Sequence, residues 1–491
     1  MDADAPRRGV AECRLVPSFR TFRRPTAIYR SAFPNRPERR IGGDILLITA
    51  AVVAATSSYS TTSAPYNLTA IVLGAAAVGF SVIRFGVGVP HRPAVGAALI
   101  TTLIPQTLRP PSPNIRQTAF YPWSVALGVA AVVLLLLSLL PQFGRLRWSL
   151  LISGFAAMFI ALAVTVPGAR HPEIDVWSIF QQSAAGLFKG VNPYEITSFD
   201  VPAGQTANCF NYLPASFLSS WPGWVTLDDV RYAEDLVMVA GWLALGYLLL
   251  RRTRTSATAR FDALVLLLTA VTLAGTLRVA QQAWNESLIL GYLLIGVALL
   301  ATKRAGWAWL PVALALATKQ HVALLLPLLV RWPGFGWRRT LYSVIGAGAI
   351  SAPWVLWNFD RFKTCTVDFF LNIEPRHDSI SLWRFLPHPI QNLAVVTGLT
   401  VGFVLALRWV PKTPGGLLLG SALVLMGFDL SNKQSFENQW WLFAELITCG
   451  LALRAVEMRP DTADRRRTEA DRTLTGDEPK PTGDGPKPAG H

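Results

Sequence analysis

Apolar runs long enough to cross a lipid bilayer recur along nearly the whole chain, and no other feature limits the possible folds so severely. A bilayer's hydrocarbon core takes roughly 20 residues of helix to span, and every backbone N–H and C=O inside it must find a partner within the protein. The runs lie at 43–58, 67–83, 93–106, 122–140, 148–167, 233–250, 261–279, 286–301, 306–318, 320–331, 340–357, 389–408, 415–429 and 440–455. The runs at 93–106, 306–318 and 320–331 are short, as tilted, re-entrant or half-spans would be. The expected fold is all-α, a polytopic membrane helical bundle of about 12–14 spans, with amphipathic helices in the outer loops.

Composition agrees. Of 491 residues, 52% are apolar and 15% charged, against about 25% charged in a typical soluble domain. That argues against a soluble enzyme, and against disorder except at the ends. The net charge of +15 would suggest nucleic acid in a soluble protein. Here most Lys and Arg sit in short loops and the two tails, which points to membrane orientation, with the lipid bilayer as a partner and no nucleic acid.

The basic residues sort the loops. Arg36, Arg39 and Arg40 precede the first run, Arg145 and Arg147 follow the fourth, and Arg251, Arg252, Arg254 and Arg260 follow the sixth. Lys303, Arg304, Arg331, Arg338, Arg339, Arg408, Lys412, Arg454 and Arg459 continue the series. With fourteen spans all of these fall on one side, which the positive-inside rule makes cytoplasmic, with both termini. The organisation expected is a basic cytoplasmic tail at 1–42, N-terminal spans at 43–166, an outer loop at 167–232, a transmembrane core with outer loops at 233–456, and a disordered cytoplasmic tail at 457–491. No cleavable signal peptide is evident, so the first run is expected to insert directly.

The opposite side receives Pro167 to Tyr232, Arg278 to Glu286, Thr318 to His321, Asn358 to His388, and Asp429 to Trp440. These segments hold most polar residues that orientation leaves unexplained. Charged groups at a membrane edge, rather than in mid-span, point to a site at the outer interface. The most informative stretch runs from His171 to Tyr194. Trp177, Phe180, Ala184 and Leu187 recur at helical spacing, Gly190 suits a C-cap, and Pro193 a stop, so an amphipathic surface helix is expected just after Glu173 and Asp175.

An acid after a span, then Trp, a surface helix and Gly190-Val-Asn192-Pro193-Tyr194, resembles the first outer loop of GT-C glycosyltransferases. The chain is most similar to the polyprenyl-phosphate-sugar-dependent branch that includes actinobacterial mannosyltransferases. Phe210-Asn-Tyr212-Leu-Pro214 is similar to the Tyr-x-Pro element before a following span. Thr318-Lys319-Gln320-His321 resembles a Lys-containing break between short helices, and Arg376 to Ser381 and Asn432 to Asn438 resemble later outer-loop elements. The resemblance covers roughly Ala161 to Leu453, and the first four spans lie outside its clearest part.

The resemblance implies transfer of a sugar, a hexose such as mannose, from a polyprenyl-phosphate donor to a hydroxyl of a cell-envelope glycolipid or polysaccharide acceptor on the outer face. Asp175 matches the family's base, with Glu173 beside it to orient it or bind an acceptor hydroxyl. An attacking alcohol needs such a base. A phosphate leaving group needs cationic stabilisation instead, for which Lys319, His321, Arg376 and Lys433 are available, with Arg278 a further option. Asn192, Tyr194, Tyr212 and Asn438 complete the expected substrate-binding set. One base without a nucleophilic partner implies inversion. No metal or other cofactor is expected.

Plainer readings compete. Asp175 can be a solvated loop carboxylate, Lys319 and His321 interfacial anchors, and Arg376 with Asp378 a surface ion pair. Trp284, Trp440 and Trp441 read as aromatic-belt anchors. The sequons at Asn67 and Asn285 read as chance. Cys209 and Cys365 fall on the outer side, where an oxidising compartment would let them pair and tie the long loop to the loop before the twelfth span; Cys13 and Cys449 read as reduced and incidental. A lipid or solute transporter, or a cell-envelope ligase of another transferase class, are the alternative functions.

Overall fold

The computed structural model describes residues 37–58, 64–108, 116–202, 207–251, 255–376 and 378–458. The two expected tails lie almost wholly outside these residues, as does Cys13. Every apolar run holds at least one helix. The first five give α1 (Pro37–Ser57), α2 (Ala64–Arg84), α3 (Arg92–Leu108), α4 (Tyr121–Leu139) and α5 (Arg147–Gly168). The loop that follows holds α6 (Asp175–Phe188) and α7 (Pro214–Leu227). Beyond it come α8 (Arg231–Arg251), α9 (Ala257–Val271), α10 (Thr276–Gln281) and α11 (Glu286–Leu300). Then follow α12 (Trp309–Leu316), α13 (Leu326–Arg331), α14 (Gly336–Trp357), α15 (Phe359–Lys363) and α16 (Phe369–Asn372). The chain closes with α17 (His388–Arg408), α18 (Pro414–Asp429) and α19 (Glu437–Glu457). The only strands among the described residues are β1 (Arg116–Gln117) and β2 (Ala169–Arg170), an antiparallel pair joining the start of α4 to the end of α5.

The protein is an all-α polytopic bundle. Seven helices among the described residues are long and apolar enough to cross a membrane, and there are four shorter apolar helices, among them Glu286–Leu300 and Pro414–Asp429. Nearly every residue of α11, α18 and α19 is buried, so these helices form the centre. Small residues let the backbones close up: a Cβ at Gly241 of α8 would stand 2.7 Å from the Cα of Gly291 of α11. At the periphery, only 17% of the apolar window is buried in each of α14 and α17. Leu356 and Leu393 there are 85% and 61% exposed, which suits helices facing hydrocarbon.

Three expectations need correction. The run at 261–279 is not one span: the helix stops after Val271 and restarts at Thr276, through Gly275 at φ +99°. A side chain is disfavoured there both by the backbone angle and by the Trp441 ring, 3.2 Å from where a Cβ would lie. Secondly, Trp440 and Trp441 are not interfacial anchors. They are 1% and 0% exposed, and their indole N–H groups donate to the Ile380 carbonyl (3.2 Å) and to Thr276 Oγ1 (3.0 Å). A buried Trp needs such a partner. Thirdly, Asp175 does not precede the surface helix but is its first residue. The two sequon asparagines are buried, as chance matches would be.

Candidate functional site

Helix α6 is laid down as its residue spacing predicts. Phe180 and Ala184 are buried on one face, and the far end closes with a Schellman pair: Gly190 N–H donates to the Leu187 carbonyl (3.0 Å) and Val191 N–H to that of Gly186 (2.9 Å). Gly190, at φ +76°, supplies the left-handed residue that this cap requires. The buried face packs into an aromatic cluster with Tyr194, Phe210, Tyr212 and Phe217, under the Cys209–Cys365 disulfide. That bond joins the loop before α7 to the one-turn π segment after α15, a pairing that the sequence left open. Cys449 is free and buried.

The start of α6 opens on a cavity of about 580 Å³. All five segments expected on one side contribute to its wall: Ile174 to Val176 with Asn211 and Tyr212; Arg278 and Trp284; Lys319 to His321; residues of the 369–378 stretch; and Asp429 with 432–439. Hydrogen bonds to backbone carbonyls knit the segments together. Leu213 N–H donates to Thr318 O (3.1 Å), and Gln320 Nε2 to the carbonyls of Asn211 (3.0 Å) and Thr366 (3.1 Å). The fourth and fifth segments are tied in the same way: Ile380 N–H donates to Ser435 O (2.7 Å) and Leu382 N–H to Leu430 O (2.8 Å).

Of the residues singled out in the sequence, Asp175, Tyr212, Lys319, His321, Arg376, Lys433 and Asn438 all line the cavity. Asp175 is half-buried; its Oδ1 accepts the next backbone N–H, from Val176 (2.8 Å), and among the described residues it has no cationic partner. Lys319 Nζ is held 2.6 Å from Glu286 Oε1 and lies 5.7 Å from the centre of the Tyr212 ring. Arg376 meets Asp378 through two hydrogen bonds (3.0 and 2.7 Å), both side chains more than half exposed, and lies over Phe436. Lys433 Nζ donates to the Leu371 carbonyl (3.1 Å), and partial burial lowers its pKa below the ordinary lysine value. His321 Nε2 is buried without a hydrogen-bond partner among the described residues. Burial and the negative charges of Asp175, Glu286 and Glu234 push the Tyr212 hydroxyl well above its usual pKa.

Three candidates lie elsewhere. Glu173 is exposed and is not among the residues lining the cavity. Asn192 and Tyr194 are fully buried behind it. Asn192 Oδ1 accepts the Tyr194 N–H (3.1 Å), and the Tyr194 hydroxyl donates to the Tyr212 carbonyl (2.8 Å). Both residues hold the loop that carries Tyr212 rather than face the cavity.

Sequence reasoning missed three acids on or beside the wall. Glu286, wholly buried at the first position of α11, accepts from Lys319 and from Asn438 Nδ2 (2.7 Å). Glu437 pairs with Arg278 (3.2 Å). Asp429, 4% exposed at the end of α18, lines the cavity and has no ion pair among the described residues. Each lies at a helix end, where acids ordinarily read as solvated flanks. The available signal was charge balance, since Lys319 and Arg278 needed acids at the same level.

The arrangement sets two carboxylates without an ion pair among the described residues, the half-buried Asp175 and the buried Asp429, on the wall of a chamber that also carries four Lys and Arg side chains, two of them tied to buried acids. It can take a proton at Asp175 and hold an anion at the cations. No family model, no curated protein and no solved structure matches the chain.

Proposed function

We propose that the protein is an integral-membrane, inverting glycosyltransferase of GT-C type. It moves a sugar, a hexose such as mannose, from a polyprenyl-phosphate donor to a hydroxyl of a cell-envelope glycolipid or polysaccharide. The observation that carries the reading is the unpaired, half-buried Asp175 sharing one cavity with Lys319, Arg376, Lys433 and Arg278.

In this reading the acceptor oxygen attacks the anomeric carbon while Asp175 takes its proton. The bond from that carbon to the phosphate oxygen breaks, and the polyprenyl phosphate leaves with the electron pair. Fixed cations lower the cost of the charge that gathers on it. With Asp175 as base and direct attack by the acceptor, without a glycosyl-enzyme intermediate, the anomeric centre inverts. The disulfide supports an oxidising, outer location for the cavity. The apolar donor chain would lie in the bilayer beside helices such as α14 and α17, whose outer faces are bare.

A solute transporter is the second reading. It is favoured by Glu445, buried in mid-α19, whose Oε2 accepts from the Trp242 indole (3.3 Å).

The test compares wild type with Asp175→Asn in membranes given a labelled polyprenyl-phosphate hexose and a host lipid extract. Label passes to a new glycolipid or polymer with the wild type and not with Asp175→Asn, while protein level and donor binding persist. Equal transfer by both would remove Asp175 from the mechanism. No transfer with any lipid-linked sugar would end the enzyme reading.

A further inference from the structure

A second cavity, of about 450 Å³, lies beside the first and is built with helices that precede the acidic loop. Gln106 and Thr107 at the end of α3, Tyr121 and Ala126 on α4, and Leu277 and Gln281 on α10 are among the residues lining it. The two cavities share one residue, Arg278. Its guanidinium pairs with Glu437 on the first cavity's wall, and its Nη1 donates to the Ser58 carbonyl (3.4 Å) on the second's. Arg278 is therefore the partition.

The chemistry of the two chambers differs. The first carries four Lys and Arg side chains. The second, among the described residues lining it, has amides, hydroxyls and apolar groups, and its single cation is already neutralised by Glu437. Such a lining offers little to a phosphate. It suits an uncharged head rich in hydroxyls on an apolar stem, since amides both donate and accept. Gln106 has the capacity to spare: its Nε2 donates to Thr272 O (3.0 Å), while its buried Oε1 has no partner among the described residues. A buried acceptor left unmade is costly, and a ligand hydroxyl would satisfy it. Ile104 of α3 and Trp123 of α4, next in sequence to the lining residues Pro105 and Pro122, are exposed, as helices in hydrocarbon would be, and an apolar stem would lie against them.

We infer that this second cavity binds an uncharged, hydroxyl-bearing amphiphile, the acceptor, whose hydroxyl reaches the first cavity past Arg278. The acceptor role rests on the glycosyltransferase reading; the site itself does not. This gives α3 and α4, with Ser58 after α1, a task as part of the wall of the acceptor chamber.

The experiment uses the full chain in lipid vesicles with two photoactivatable probes, a dodecyl hexoside and a dodecyl phosphate. Two variants accompany the wild type: Ala126→Trp, which fills the chamber, and Gln106→Leu, which removes its spare acceptor at nearly constant volume. The hexoside labels α3 and α4 peptides in the wild type and loses that labelling in both variants. With a labelled polyprenyl-phosphate hexose as donor, acceptor KM rises about tenfold or more in the variants and donor KM does not move. Intact donor KM and donor binding show that the variants have folded. Labelling of the same peptides by the phosphate as strongly as by the hexoside overturns the proposal, as does hexoside labelling that persists in both variants. Transfer that proceeds with unchanged acceptor KM overturns the acceptor site and leaves the enzyme standing. Specific hexoside labelling with no transfer by the wild type overturns the acceptor role together with the transferase reading.

Discussion

Lys319 Nζ stands 2.6 Å from Glu286 Oε1, and the carboxylate is wholly buried, with Asn438 on its other oxygen at 2.7 Å. Three elements meet at this one carboxylate: the break before α13, the start of α11 and the start of α19. A buried charge is tolerable only while its partners stay in place. Glu286→Ala leaves Lys319 facing the cavity without its anion and Asn438 without its acceptor. The expected loss is about 3–5 kcal/mol, read as a lowered melting temperature in detergent. Glu286→Gln, which keeps the Asn438 contact in one amide orientation, loses less. Equal melting of Glu286→Ala and wild type would show that the pair contributes nothing to stability.

The Cys209–Cys365 bond closes a loop across 156 residues and is almost entirely buried. Cross-links over long loops stabilise chiefly by restricting the unfolded chain, commonly by about 2–5 kcal/mol. Cys209→Ser should shift mobility on a non-reducing gel relative to wild type and lower the melting temperature. It should also free the Cys365 thiol for labelling after denaturation. Full labelling of both thiols in unreduced wild-type membranes would disprove the bond.

Tyr194 separates a structural role from a binding one. Its hydroxyl donates to the Tyr212 carbonyl inside the aromatic cluster. Tyr194→Phe should cost about 1–2 kcal/mol of stability, because the buried carbonyl loses its donor. Donor KM should stay near the wild-type value, since the ring does not reach the cavity. A large rise in donor KM at unchanged stability would place Tyr194 in substrate binding after all.

Lys433 sets a pH dependence. Partial burial lowers its pKa, so it loses its proton at a lower pH than a free lysine would. Below that pKa it is cationic and holds an anionic donor; above it the charge is gone. Donor affinity should therefore fall as the pH rises into the alkaline range, before ordinary lysines titrate. Lys433→Arg should move that fall to higher pH, because guanidinium stays charged throughout. A donor-affinity profile identical for Lys433 and Lys433→Arg would remove the residue from donor binding.

Much of the architecture was legible in the sequence because hydrocarbon imposes a simple rule. A chain that must pair its own backbone inside a bilayer forms helices wherever it is apolar for long enough. Every apolar run holds at least one helix for that reason, and the five polar segments that counting runs would put on one side contribute residues to one cavity. The amphipathic α6 and its Gly190 cap were equally plain, since both are local features. The disulfide was only a conjecture from sidedness.

What the tertiary structure decided is which charges meet. Lys319, Arg376 and Lys433 look alike as isolated cations in a sequence. Packing ties the first to a buried acid, the second to an exposed one, and the third to a carbonyl. Asp175 and Glu173 are two residues apart, yet only Asp175 lines the cavity, because it begins the helix whose first residues reach the wall. Tyr194 turns inward and Tyr212 lines the chamber, although both stand in polar loop segments. The division at Arg278 was invisible in the sequence, because it depends on a break at Gly275 that Trp441 fills from a helix more than a hundred residues away. Local spacing determines where helices form; the partners of a buried charge, and the shape of the space around it, are set only when distant helices pack.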